Sequence, residues 1–228
     1  MNYSLRRIGF SLITSLCFFG TGQAATVSAP ESVTFGLHFS SLDVSLNDPK
    51  QQPVDTTVEQ VGIASFDTGE QTLQPGLLLG YAHVGNINQL LAAGLQPQGF
   101  YIGPALRGML IDNGRLSAAL TGTYLYQRVR DSNADRELTL EWQQPQLDLD
   151  MLWRFSQRVA LSLAGQYGRI DVNERIKGTV NQTLTLDSGP TLGYRAGLEF
   201  DLGEDGQVGI LLHRAIGDGV ELYFQQQF

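Results

Sequence analysis

The sequence predicts an all-β protein, built as one closed, antiparallel, up-and-down transmembrane β-barrel of ten strands. Three observations predict it. Apolar residues recur at every second position in run after run, which is the period of a strand with one apolar face. The connections between these runs alternate between short and long along the chain. The chain also finishes on such a run, 219–228, where Val220, Leu222, Phe224 and Phe228 share one face and Glu221, Tyr223, Gln225 and Gln227 the other.

In chain order, residues 1–24 read as a secretory signal peptide. Arg6 and Arg7 supply the positive start, residues 8–19 a short apolar core, and Gly22-Gln23-Ala24 a small-residue cleavage site. The apolar core is too short to cross a bilayer as a helix. Cleavage at Ala24 would remove Cys17, the single cysteine, and shift the formal charge from −8 to −10 because Arg6 and Arg7 leave with it. A mature chain that acidic is a poor ligand for nucleic acid. Residues 25–228 are expected to form a single domain, after an unstructured lead over 25–32.

The first run places Val33, Phe35, Leu37 and Phe39 on one face. After Ser40-Ser41 the apolar phase flips to Leu42, Val44 and Leu46, which predicts a bulge or a tilt out of the membrane. A weaker strand of ambiguous face follows over 56–66, then Leu73, Leu77, Leu79 and Tyr81. Residues 86–97 read as a longer loop with one or two helical turns around 87–93. Phe100, Ile102, Leu106 and Leu110 lead into Asp112-Asn113-Gly114, a hairpin signal because Asn and Gly tolerate positive φ. The chain returns through Leu116, Ala118, Leu120, Gly122, Tyr124 and Tyr126 to a charged loop over 128–137. Leu147, Leu149, Met151 and Trp153 mark the next strand, and Val159, Leu161, Leu163 and Tyr167 the one after. A polar stretch, 173–188, predicts a loop or an extended hairpin above the membrane. Leu192, Tyr194, Ala196, Leu198, Phe200 and Leu202 form a strand, Val208, Ile210 and Leu212 another, and the terminal run completes the set.

Every second connection (67–71, 112–114, 156–157, 203–206) is short, whereas 47–55, 86–97, 130–137 and 173–187 are long, with 216–218 the exception. Short turns on one side and long loops on the other are the asymmetry of an outer-membrane barrel. Counting back from a last strand that ends at the periplasm gives ten strands; eight would follow if 33–66 or 207–228 packed differently. A soluble barrel would bury the apolar parity instead, and alternation alone does not say which face is inside. The gathering of Tyr124, Tyr126, Trp153, Phe155, Tyr167, Phe200 and Phe228 at strand ends favours two lipid–water boundaries.

The terminal strand resembles the last strand of Gram-negative outer-membrane β-barrels, and Gln226 departs from the usual pattern there. The resemblance is at superfamily level, covers the signal peptide, the hairpin series and the last strand, and brings no family-specific motif. It implies a cell outer-membrane location, outer-membrane lipid and the barrel-assembly machinery as partners, and Phe228, Phe224 and Leu222 as an assembly signal.

With the apolar parity toward lipid, Arg107, Asp148, Asp150, Arg154, Arg195 and Glu199 face the lumen, joined by Asp201 and Glu221. Charges in so narrow a space must be paired or hydrated. They predict an ion-paired polar filling, or a narrow polar solute path with selectivity set by charge. No catalytic residue, cofactor motif or metal-ligand spacing stands out, and the expectation is a non-enzymatic, porin-like barrel. The alternatives are an interaction protein acting through loops 86–97, 130–137 and 173–187, and a small hydrolase. Lipid A deacylases use a Ser and a His on a barrel strand, and His38 with Ser40 resembles that pair without an acidic partner; nothing here matches a motif of the omptin proteases, also small ten-stranded barrels.

Overall fold

The computed structural model describes residues 33–68, 72–85, 94–178, 181–203, 206–214 and 216–228. The expected signal peptide and the helical turns expected at 87–93 lie outside them. The strands are β1 (Val33–Asn47), β2 (Pro53–Asp67), β3 (Leu73–Gly85), β4 (Gln98–Asp112), β5 (Leu116–Ser132), β6 (Arg136–Arg154), β7 (Val159–Gly168), β8 (Asp171–Gly178), β9 (Gln182–Asp187), β10 (Thr191–Gly203), β11 (Gly206–Arg214) and β12 (Asp218–Gln227).

Ten of these strands form a ring. β1 to β7 pair in sequence, β7 pairs β10, and β10, β11 and β12 follow. β12 returns to β1 in an antiparallel register running from Thr34↔Gln227 to Asp43↔Asp218. The seam is tied at its lower end by Phe228 N–H to Val33 O (3.0 Å) and Val33 N–H to Phe228 O (3.2 Å). Closure removes the unpaired edges that a membrane would not tolerate.

The structure decides which face is outside. Phe35, Leu37, Phe39, Ile63, Leu79, Ile102, Leu120, Leu147, Leu149, Met151, Leu163, Leu198, Ile210, Leu222 and Phe224 are exposed around the ring, and Phe228 is exposed at its base. A wall of this extent is an interface with lipid. One aromatic border holds Trp153, Phe155, Phe200 and Phe228, with the Trp153 and Phe155 rings 4.8 Å apart. The other holds Phe100, Tyr124, Tyr167 and Tyr194, with Tyr81 and Phe100 5.5 Å apart. Ten residues separate Tyr126 from Leu116 along β5. That is ~34 Å of strand, or ~26 Å of height at a tilt of ~40°, the thickness of a barrel's apolar band.

Above this belt the strands continue and their faces exchange chemistry. The phase flip in β1 is not a bulge: β1 and β2 stay in register from Val33↔Asp67 to Asn47↔Pro53. Inward positions change from Thr34, Gly36, His38 and Ser40 to Leu42, Val44 and Leu46, while outward ones change from Phe35, Leu37 and Phe39 to Ser41, Asp43 and Ser45. The backbone alternation is unbroken; the solvent outside changes from lipid to water. The same change resolves the ambiguous face over 56–66, which is part of the longer β2.

The charged loop expected over 128–137 is corrected for the same reason. β5 runs to Ser132 and β6 starts at Arg136, with Asn133 Oδ1 capping the tight turn by accepting from Asp135 N–H (3.1 Å) and Arg136 N–H (2.9 Å). Its charges sit on a wetted strand face. The polar stretch over 173–188 is the hairpin β8–β9. β6 is 19 residues long and changes partner midway, pairing β7 up to Gln146↔Gly168 and β8 from Gln143↔Asp171. Pro145 lies at this fork, where its missing N–H breaks no ladder.

A single pair, Asn47↔Asp187, joins β9 to β1. The pairings thereby close a second circuit of eight strands: β1 to β6, β8 and β9. Eight strands enclose little more than their own side chains. Val44, Leu46, Val54, Val58, Val84, Val129, Leu138, Leu140, Trp142, Val172, Ile176 and Leu186 fill it as one buried apolar cluster.

Candidate functional site

Below the apolar cap lies a cavity of about 620 Å³. Its lining runs from Leu42, Leu125 and Ile216 under the cap to Thr68, Asp112 and Gln227 at the lower rim. Asp112 and Gln227 are exposed, so the chamber opens at the end that carries the short turns.

Strand alternation aims the charges into this space. All six residues of the expected network line it: Arg107 from β4, Asp148, Asp150 and Arg154 from β6, and Arg195 and Glu199 from β10. Arg195 makes an ion pair with Asp150, which also accepts from Thr121 Oγ1 at 3.1 Å. Asp148 accepts from Gln146 Nε2 at 2.9 Å and from Gln166 Nε2 at 3.1 Å. Arg154 donates to Ser117 Oγ at 2.9 Å, near the rim. Arg107 lies over the Phe66 ring, 4.1 Å from its centroid, with Asp150, Arg195 and Glu199 close by. Among the described residues one ion pair, Arg195 with Asp150, joins members of these six; Asp148 and Arg154 bond neutral side chains, and Arg107 lies on the Phe66 ring. Asp201 does not join it: it is exposed at the end of β10, where it accepts from Gly203 N–H at 2.7 Å and shapes the turn.

Other members depend on register. Glu221 faces the lumen and bonds His213 Nε2 at 2.8 Å. Three arginines (Arg107, Arg154, Arg195) and five carboxylates (Asp112, Asp148, Asp150, Glu199, Glu221) line the chamber.

The Tyr101 hydroxyl reaches His38 Nε2 at 2.5 Å. His38, Gly62, Gly80 and Tyr101 stand opposite one another in a single row across β1, β2, β3 and β4. The phenol lies flat along the wall because both intervening residues lack a side chain: a Cβ on Gly62 would fall 1.8 Å from the Tyr101 hydroxyl oxygen, and one on Gly80 2.5 Å. Across the seam Tyr223, opposite His38, lies over Gly209, where a Cβ would fall 2.4 Å from its ring. Sequence reasoning missed both tyrosines. Their polar parity was visible, but the glycines beneath them become neighbours only once register is known.

Ser40 shares the chamber with His38, and His38 is engaged by Tyr101; among the described residues no hydrogen bond joins the pair. Gln127, fully buried at the foot of the cap, accepts from Gln60 Nε2 at 3.0 Å and leaves its own Nε2 without a partner. Among the described residues no His, Cys, Asp and Glu cluster has the arrangement of a metal site.

No family model matches the chain, and no curated protein matches it. Solved structures do. The chain is similar to the outer-membrane protease OmpT of Escherichia coli, with TM-score 0.51 and 10% identity over 89% of this chain and 96% of that one. It is also similar to the transport unit of the autotransporter AIDA-I of Escherichia coli, with TM-score 0.52 and 10% identity over 90% and 92%. A third match is Ail, the attachment invasion locus protein of Yersinia pestis, with TM-score 0.43 and 9% identity over 88% and 100%. At these identities the likeness to the first two is one of fold, and the fold is that of outer-membrane β-barrels.

Proposed function

We propose that this is a non-enzymatic outer-membrane barrel whose charged lumen forms a resting, closed polar chamber open toward the periplasm, with solute passage requiring displacement of the cap. The observation that carries this reading is the stacking of two chemistries in one lumen. A charge-lined chamber of about 620 Å³ lies under a cluster that includes Val84, Val129, Leu138 and Trp142, none more than 3% exposed. A dry constriction of this kind opposes ions and polar solutes more strongly than a charged lining selects among them.

Purified protein in planar bilayers tests it. The wild type should give no steady conductance, and Leu138→Ala with Trp142→Ala should give one, since both truncations empty the cap. Steady conductance from the wild type, or none from a correctly assembled double variant, would sink the reading.

One observation favours an interaction role as the second reading. The sheet of β5, β6, β8 and β9 extends above the membrane, and residues 182–186 of β9 pair with β8 alone among the described residues. A free edge of this kind can accept an extended strand from a partner. Loss of cell-surface binding on Thr183→Pro, with barrel assembly intact, would support that role.

A further inference from the structure

A second concavity lies on the outer wall, at the level where lipid gives way to water. An apolar groove of about 650 Å³ crosses β4, β5, β6 and β7. Its floor consists of small or ring-closed outward residues, Pro104, Gly122 and Pro145, between the larger Tyr124 and Tyr167. A Cβ on Gly122 would meet no heavy atom within 4 Å. Neighbouring outward positions on these strands carry the larger Leu106, Leu120, Tyr124 and Leu147, so Gly122 leaves volume among them unfilled. Pro104 contributes a second irregularity. The β4–β5 ladder skips from Ile102↔Tyr126 to Ala105↔Thr123, because a proline has no N–H to give.

The wall immediately above the groove is basic. Arg169 closes its upper end, with its backbone N–H on Pro145 O at 3.2 Å and its guanidinium on Asp171 at 2.7 Å. Arg128 stands two residues above Tyr126 on the same face of β5, and Arg130 two further on. In the row Arg130↔Thr139↔Arg175, two exposed arginines flank one threonine. Their Cα atoms are two strand spacings apart, ~10 Å. Neither has an ion-pair partner among the described residues, where the exposed arginine pairs are those of Arg128, Arg169 and Arg214. This face carries Arg128, Arg130, Arg169, Arg175 and Lys177 against Glu137, Glu141, Asp171 and Asp187, an excess of positive charge in a chain of formal charge −8.

We infer that groove and arginine face together bind a phosphate-bearing glycolipid of the outer leaflet, with an acyl chain in the groove and the phosphorylated head on Arg128, Arg130 and Arg175. An acyl chain laid over Gly122 fills volume that the wall leaves empty and gains its dispersion contacts. Guanidinium groups hold phosphate through paired, charge-assisted hydrogen bonds. The cations are spread over several strand positions and suit a broad head with more than one phosphate, rather than the single phosphate of a glycerolipid. The placement at the aromatic border, between Tyr124 and the wetted strands, fixes the occupant as a lipid that lies upright in the leaflet.

Native mass spectrometry of the intact barrel tests this, with three probes: lipopolysaccharide, its dephosphorylated form, and phosphatidylglycerol. The wild type should retain lipopolysaccharide and hold the other two about tenfold more weakly. Arg130→Ser with Arg175→Ser should lower lipopolysaccharide retention about tenfold through the head. Gly122→Trp should lower retention of both forms of lipopolysaccharide by filling the groove, with unchanged heat-dependent gel mobility showing an assembled barrel. The smaller Gly122→Leu makes the same measurement if the Trp variant does not assemble. Equal retention of all three probes overturns the inference, as does wild-type retention by both the arginine and the glycine variants.

Discussion

The Tyr101 hydroxyl lies 2.5 Å from His38 Nε2, and the ring reaches that far by crossing Gly80 and Gly62 on the two strands between. One side chain thereby braces four strands of the wall from inside. A methyl group on Gly62 would occupy the position of the hydroxyl, since its Cβ would fall 1.8 Å away. Gly62→Ala should therefore displace the ring and lower stability by about 2 kcal/mol, part packing and part hydrogen bond. Tyr101→Phe should cost only about 1 kcal/mol, because the ring keeps its place. Urea unfolding in detergent or lipid gives both values, and in the Tyr101→Phe background the Gly62→Ala penalty should fall. Part of it should remain, because the same Cβ would fall 2.7 Å from Leu79 O; an undiminished penalty would mean that this backbone contact and not the hydroxyl sets it.

Gln127 marks the floor of the cap. Its amide is fully buried, with an Nε2 that has no partner among the described residues. An unpaired buried donor costs free energy that an apolar isostere does not. Gln127→Met should raise stability by about 1 kcal/mol, since Gln60 can turn to the hydrated chamber. A lower urea midpoint in this variant would show that the amide is satisfied in solution.

Glu174 points from β8 into the cap with 1% of its surface exposed. Burial pushes its carboxyl up to about 7. A raised carboxyl means that the native state favours the protonated form. Its stabilising contribution is full below the unfolded value of ~4.3 and is lost as pH rises through about 7. The wild type should thus lose on the order of 1–2 kcal/mol between pH 5 and pH 8 relative to Glu174→Gln. Unfolding followed by tryptophan fluorescence reads this, because Trp142 sits in the same cluster. Parallel pH profiles for the two proteins would refute it.

Phe228 closes the seam with two backbone hydrogen bonds to Val33, and its ring packs edge-on to Phe35, 5.9 Å between centroids. Deleting it should cost about 1–3 kcal/mol in the refolded barrel. In cells the loss of the terminal aromatic should lower assembly further, so membrane-inserted protein should fall more than refolded stability does. Unchanged insertion would remove Phe228 from any role in assembly.

The alternation of the strands, the terminal run and the shared parity of the six charges were determined by the sequence alone, because side-chain parity is local: each residue's face follows from its neighbours two positions away, whereas which parity faces inward was decided by the closed ring. The tilt of apolar phase after Ser41 was equally visible, but its meaning was not. Only the pairing of β1 with β2 showed that the backbone runs on without a bulge while the medium outside changes. Tertiary structure also decided what depends on residues distant in the chain. Asp201 shares parity with Arg195 and Glu199 yet lies past the rim, because the height of a side chain in a barrel is set by register and not by parity. Tyr101 meets His38 because two glycines fall between them in the ring, and the cap forms because β8–β9 replaces four strands above the membrane and narrows the circuit from ten to eight. Those neighbours exist only once the strands have paired in register.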